Sequence, residues 1–131
     1  TIFNVKGGAI VTSLTASQAM FQLVGAVAEN IPGTNIVTTV LEHPSAFDAA
    51  GYYADQTGKE LRVAKSNPDT GGVDAAEITA LIDQDTCLLS VMYSSNISGA
   101  IFDIPGIIKA AKAGMCPLKR FHPSSCPLTI P

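Results

Sequence analysis

Between positions 15 and 29 the apolar residues Ala16, Ala19, Met20, Leu23, Val24 and Val27 recur three and four places apart. That period sets them on one stripe of an amphipathic helix, with Ser13 or Thr15 able to cap its start and Pro32-Gly33 ending it. The pattern then changes. Residues 35–41 (NIVTTVL) form a short run rich in β-branched side chains, the composition of a strand. Past His43-Pro44 a second helix is expected over 45–55, ending near Gly58, and residues 60–64 (ELRVA) read as a second strand. Residues 66–72 (SNPDTGG) are turn formers. Asp74 opens a third helix, with Glu77 at the spacing of a reciprocal cap. The run 87–93 (CLLSVMY) is almost wholly apolar, as in a strand covered on both faces. After the polar loop 94–103, a fourth helix is predicted over 104–113 and closed by Gly114.

Helices and strands alternate through this order. That alternation predicts an α/β fold of three layers, with helices on both faces of a mostly parallel sheet. It breaks off after the fourth helix, where a further strand would be due. Residues 115–131 instead hold Pro117, Pro123, Pro127 and Pro131, which exclude a helix interior or a central strand. The chain therefore divides into an incomplete α/β unit over 1–114 and a proline-rich irregular tail over 115–131. A sheet left unfinished would expose the apolar faces of Leu88 and Val91.

Composition narrows the function classes. With 47% hydrophobic and 15% charged residues in 131, the chain has the material for one buried core. Its net charge of -3, with eight basic residues scattered along it, offers no footprint for nucleic acid. No apolar run approaches the roughly 20 residues that span a bilayer. The first residue is Thr, so either a leader has been removed or the chain starts inside a longer protein. Three cysteines, an odd number, point to a reducing compartment and so to the cytoplasm.

Three turns could carry chemistry. The run Thr12-Ser13-Leu14-Thr15-Ala16-Ser17 enters the first helix, where unpaired amides and the helix dipole favour an anion such as a phosphate. The same hydroxyls also serve as plain caps. His43 follows the first strand, at the end where open α/β sheets gather ligands, and its ring could stack on a flat ligand, shuttle a proton or lie idle in a proline turn. Asn96, in Ser94-Ser95-Asn96-Ile97-Ser98-Gly99, carries a donor and an acceptor that could orient a ring oxygen or a carboxylate, or belong to an ordinary polar loop. Cys87 reads as a buried, inert thiol. Cys116, His122 and Cys126 fit no zinc spacing, so no metal site is expected. No serine sits in a nucleophile elbow, and Gly7-Gly8 lacks the pattern of a nucleotide-binding loop.

In order and spacing these turns resemble the large domain of fold-type I pyridoxal-phosphate (PLP) enzymes, specifically class V aminotransferases and cysteine desulfurase-like proteins. The resemblance runs from about Val11 to Gly114. It includes the 12–17 turn, Glu42-His43, Asp69-Thr70-Gly71-Gly72-Val73-Asp74, Ser95-Asn96-Ile97-Ser98-Gly99, Asp103-Ile104 and Ile107-Ile108-Lys109-Ala110-Ala111. It implies PLP as cofactor, its phosphate held at Thr15 and the Ala16 backbone, its ring covered by His43 and its phenolic oxygen met by Asn96. It also implies an amino-acid substrate undergoing transamination, desulfuration or related lyase chemistry in a homodimeric parent. Two departures stand out: Leu14-Thr15-Ala16-Ser17 replaces a Gly-Thr-Thr-Glu-like run, and Tyr93 stands where many members have His. The family's Schiff-base lysine and pyridinium-pairing aspartate have no counterpart; Lys109, Lys112 and Lys119 lie in the wrong context. On that resemblance the chain is an inactive fragment of such an enzyme with no catalytic residue of its own. The alternative is a non-catalytic α/β binding or interaction module completed by a partner chain.

Overall fold

A computed structural model describes residues 10–114. Seven elements follow one another: α1 (Ala16–Asn30), β1 (Asn35–Thr39), α2 (Pro44–Thr57), β2 (Glu60–Ala64), α3 (Ala75–Ala80), β3 (Thr86–Leu89) and α4 (Ile104–Gly114). The three strands form one parallel sheet in the order β2-β1-β3. All five residues of β1 are buried, as the central position demands, and the alternation read from the sequence is the alternation observed.

Side-chain alternation along the strands makes two cores. Ile36 and Leu61 face one side with Leu88, and there pack against Ala28 of α1 and Ala50 and Ala54 of α2. Ala64 and Leu89 face the other side, with Ile78 of α3, Ile107 of α4 and Phe102 just before α4. Three layers result, with α1 and α2 above the sheet and α3 and α4 below. Burying one such aliphatic side chain contributes about 1.5–3 kcal/mol, so these contacts, not helix propensity, hold a six-residue helix such as α3 in place. Gly25 lets α1 and α2 close up: a Cβ there would run into the Tyr53 ring. Phe21 completes that seam with Tyr52 and Tyr53, its ring centroid 6.4 Å from each.

Several expectations need correction. The first strand stops at Thr39 rather than residue 41, because beyond it the chain turns away from the sheet. The third strand starts at Thr86 and ends at Leu89, four residues short of Tyr93. Its pairing with β1 jumps from Asn35↔Thr86 to Ile36↔Leu88, so Cys87 is an extra, bulged residue. The last bond of that ladder runs from Ser90 N–H to the Val37 carbonyl, 2.9 Å. The reciprocal cap at Asp74 does not form, since its carboxylate accepts from Asn67 Nδ2 at 2.9 Å instead. Leu88 and Val91 are half-buried and packed on the two cores, not laid open. The tail expected over 115–131, with Cys116, His122 and Cys126, lies outside the described residues.

Candidate functional site at the carboxyl end of the sheet

Connectivity decides where the candidate turns fall. The short link 31–34 joins the end of α1 to the start of β1, so α1 begins at the carboxyl end of the strands. The next turn leaves β1 at that end and enters α2, and the segment after β3 leaves there too. Thr15, His43 and Asn96 therefore come from three elements to the same end of the sheet. All three are exposed, as is Ala16.

The start of α1 is built from the residues expected and one that was not. Thr15 is the N-cap, its Oγ1 accepting from Gln18 N–H at 3.1 Å. Gln18 reaches back, and its Oε1 accepts from Ser13 Oγ at 3.0 Å and from Leu14 N–H at 3.3 Å. The Thr-x-x-Gln spacing of a capping box was legible in the sequence and points to Gln18. The Ala19 amide already bonds the Thr15 carbonyl, 3.1 Å. A helix start leaves its first amides without intrahelical partners, here those of Ala16 and Ser17. An open hollow of about 320 Å³ lies near the start of α1, lined by Thr12, Ser13, Leu14, Gln18 and Gln22. None of Thr15, Ala16, His43 and Asn96 lines it, so the candidates share an end of the sheet and not one closed cavity.

His43 caps α2. Its Nδ1 accepts from Ser45 N–H at 3.2 Å and lies 2.8 Å from Ser45 Oγ. Ser45 thus engages Nδ1 and leaves Nε2 without a partner among the described residues. Asn96 sits in a turn organised by its neighbour. Ser95 is buried, and its Oγ accepts from the amides of Ile97 and Ser98, both at 3.3 Å. Main-chain bonds Ser95 N–H to Ala100 O and Gly99 N–H to Ser95 O, each 2.9 Å, close the loop. Among the described residues no side chain holds the Asn96 amide.

Glu42 is the residue the sequence reading passed over as a site component. Only 8% exposed, it accepts from Met92 N–H at 2.5 Å, with the Thr39 hydroxyl at 3.5 Å. Burial pushes its carboxyl pKa up, against the opposing pull of the Met92 amide, the Thr39 hydroxyl and the charge of His43. Its one sequence signal is an acid set directly after a β-branched strand. Cys87, by contrast, is buried as expected, and desolvation raises its thiol pKa. Among the described residues no cluster of three metal-ligating side chains occurs, and no helix is long and apolar enough to cross a membrane.

The sequence model of the aminotransferase class-V family matches residues 2–118. Over 82 residues the chain is 35% identical to a cysteine desulfurase of Pectobacterium carotovorum subsp. carotovorum, covering 63% of this chain and 20% of that protein. The apo cysteine desulfurase of Thermococcus onnurineus superposes with a TM-score of 0.65 at 25% identity, over 75% of this chain and 24% of its own. A NifS-like protein superposes with a TM-score of 0.68, also at 25% identity, over 76% of this chain and 27% of its own. The chain thus spans about a fifth of the length of the curated relative it matches. It is an α/β chain with a parallel sheet that belongs to the class V aminotransferase family of PLP-dependent, fold-type I proteins.

Proposed function

We propose that the carboxyl end of the sheet binds PLP, and that the chain serves class V chemistry on an amino-acid substrate, with cysteine the first to test. One observation carries the reading: the start of α1, the cap of α2 and the turn after β3 open at the same end of a parallel sheet. The donor set fits such a ligand. Two helix amides without a partner among the described residues and a threonine hydroxyl suit a phosphate, and the imidazole of His43 and the carboxamide of Asn96 suit a flat polar ring.

PLP bound here supplies an electron sink for bonds at an amino acid's Cα. The rest is done by the chain. The Ala16 and Ser17 amides and Thr15 Oγ1 anchor the phosphate, the dipole of the 15-residue α1 adding to their pull. His43 covers one face of the ring, kept in orientation by Ser45. Asn96 donates its amide to the ring's phenolic oxygen. The described lysines stand apart: Lys59 donates to the Gly33 carbonyl at 2.7 Å, at the opposite end of the sheet, and Lys109 and Lys112 are exposed along α4. Lys65 is exposed after β2, on the strand farthest from Asn96. On this reading none of the described lysines links covalently to the cofactor, and residues 10–114 do not turn over alone. The whole enzyme is a cytoplasmic homodimer.

The test uses pyridoxamine 5′-phosphate, whose amine does not couple to lysines, followed by its fluorescence. The expected result is binding that pyridoxamine, lacking the phosphate, does not match, and that Thr15→Ala weakens about tenfold, or ~1.4 kcal/mol. Equal binding of both compounds, or of neither, rejects the reading. Borohydride added with PLP should fix no cofactor at a unique lysine.

A second reading has its own support. Both β2 and β3 end the described sheet, and Tyr93, Ile97 and Ile101 are exposed beside the exit of β3. Such an edge suits a module completed by another chain. A separate polypeptide that restores turnover on mixing would favour it.

A further inference from the structure

The β1–β3 ladder ends at the bond from Ser90 N–H to Val37 O, yet the chain after β3 stays beside the exit of β1 for three more residues. The tie that keeps it there is a side chain. Glu42 Oε1 takes the Met92 amide at 2.5 Å, two residues past the last ladder bond. Glu42 is one residue before His43. On the other side, Met92 leads into Tyr93, whose carbonyl accepts from Phe102 N–H at 3.0 Å and so anchors the base of the loop that holds Asn96. The isolated antiparallel bridge Ser94↔Ile101 sits at the same base.

We infer that Glu42 is a positioning residue, whose carboxylate fixes the His43 turn and the Asn96 loop at a set separation so that both address one bound ligand. It touches no ligand itself. The inference rests on the proposed site, and its chemistry is specific. A carboxylate accepting an amide in a buried place makes a short, charge-assisted bond, stronger than a neutral pair. Leaving the strand ladder two residues early frees the exits of β1 and β3 to diverge, and a side-chain bridge sets how far. Burying an acid here costs stability that an apolar residue would not, and its raised pKa is the mark of that cost. The position would be better filled by a neutral residue if packing were all it did.

The experiment compares the full chain with Glu42→Ala and Glu42→Gln by amide hydrogen exchange and by pyridoxamine 5′-phosphate titration. In Glu42→Ala the Met92, Ile97 and Ser98 amides should exchange at least about tenfold faster, and ligand affinity should fall about tenfold. The Val40 amide, bonded to Ala64 O on the far side of β1, should be unchanged and reports that the sheet is intact. Glu42→Gln keeps an acceptor and should recover most of both losses; if the alanine variant does not fold, the smaller losses in Glu42→Gln carry the test. Unchanged exchange at Met92 in both variants overturns the inference, and so does faster exchange there with native affinity. If the native chain binds no ligand, the proposed site fails, and the inference that depends on it fails with it; faster loop exchange in the variants would then mark Glu42 as structural only.

Discussion

The two ends of the parallel sheet solve opposite problems. At the amino end the polar groups close on one another. Asn35, fully buried, donates to Asp83 Oδ1 at 3.0 Å and accepts from the Thr86 hydroxyl at 2.7 Å, and Arg62 meets Asp83 at 2.6 Å. Lys59 closes the same end on the Gly33 carbonyl. At the carboxyl end the caps are exposed, the first amides of α1 have no partner among the described residues, and the buried carboxylate of Glu42 ties two loops together. The fold spends its hydrogen-bonding capacity at one end and holds it in reserve at the other. Substitutions should therefore cost stability at the amino end and ligand binding at the carboxyl end.

The largest expected effect is at Gly33. Its φ of 146° is one that other residues rarely adopt, and an added Cβ would lie 2.5 Å from the Asp85 carbonyl oxygen and 2.8 Å from Cys87 Cβ. Gly33→Ala should destabilise by about 3 kcal/mol or more, read as a lower midpoint in urea, because neither backbone conformation nor space can give. A variant as stable as the native chain would mean the amino end is not the rigid one. Asn35→Ala comes next, at about 2 kcal/mol, since it leaves the buried Thr86 hydroxyl poorly partnered and opens a gap. Ligand affinity should be almost untouched by it.

The alternating order was legible because each element carries its own period, whereas the split of the helices between two faces follows from the strand order β2-β1-β3, which that order does not state. What the sequence hid was the end of each strand. In CLLSVMY the apolar run continues past Leu89, but a strand lasts only while a partner accepts its amides, and β1 has turned away by then. The capping spacing at Asp74-Glu77 was equally real in the sequence and lost to a competitor, Asn67, seven residues upstream. Thr15 and His43 were readable as helix starts from local rules. Glu42 was not, since its burial depends on Met92, fifty residues later in the chain.

The comparison predicts a difference in acid. Arg62, with Asn35, holds the Asp83 carboxyl well below its ordinary 3.8, so its share of stability is complete above that value and lost as pH falls below it. Glu42 runs the other way. Its pKa is raised above the ordinary 4.5, so the folded state takes up the proton first, and stability rises as pH falls through that raised value toward 4.5. The unfolding midpoint should climb slightly on mild acidification and drop on further acidification. Glu42→Gln should remove the climb, and Asp83→Asn the part of the drop due to that carboxyl. Arg62 and Asp83 are partly exposed, so the second effect is the more sensitive to salt.

The smallest effect is also the one of opposite sign. Thr38 is fully buried near the carboxyl end of β1, and its Oγ1 is the one buried side-chain polar atom without a partner among the described residues. Its side chain points to the face covered by α1 and α2, below their starts. A buried hydroxyl with nothing to bond costs about 1–3 kcal/mol, and valine has the same shape without it. Thr38→Val should therefore raise stability by about 1 kcal/mol, seen as a later thermal midpoint, while the equivalent change at Thr86 should lower it because that hydroxyl is bonded. If Thr38→Val also leaves binding of pyridoxamine 5′-phosphate intact, the unpaired groups that serve the ligand are confined to the exposed helix starts. A loss of binding would instead extend the reserve at this end into the buried layer beneath α1.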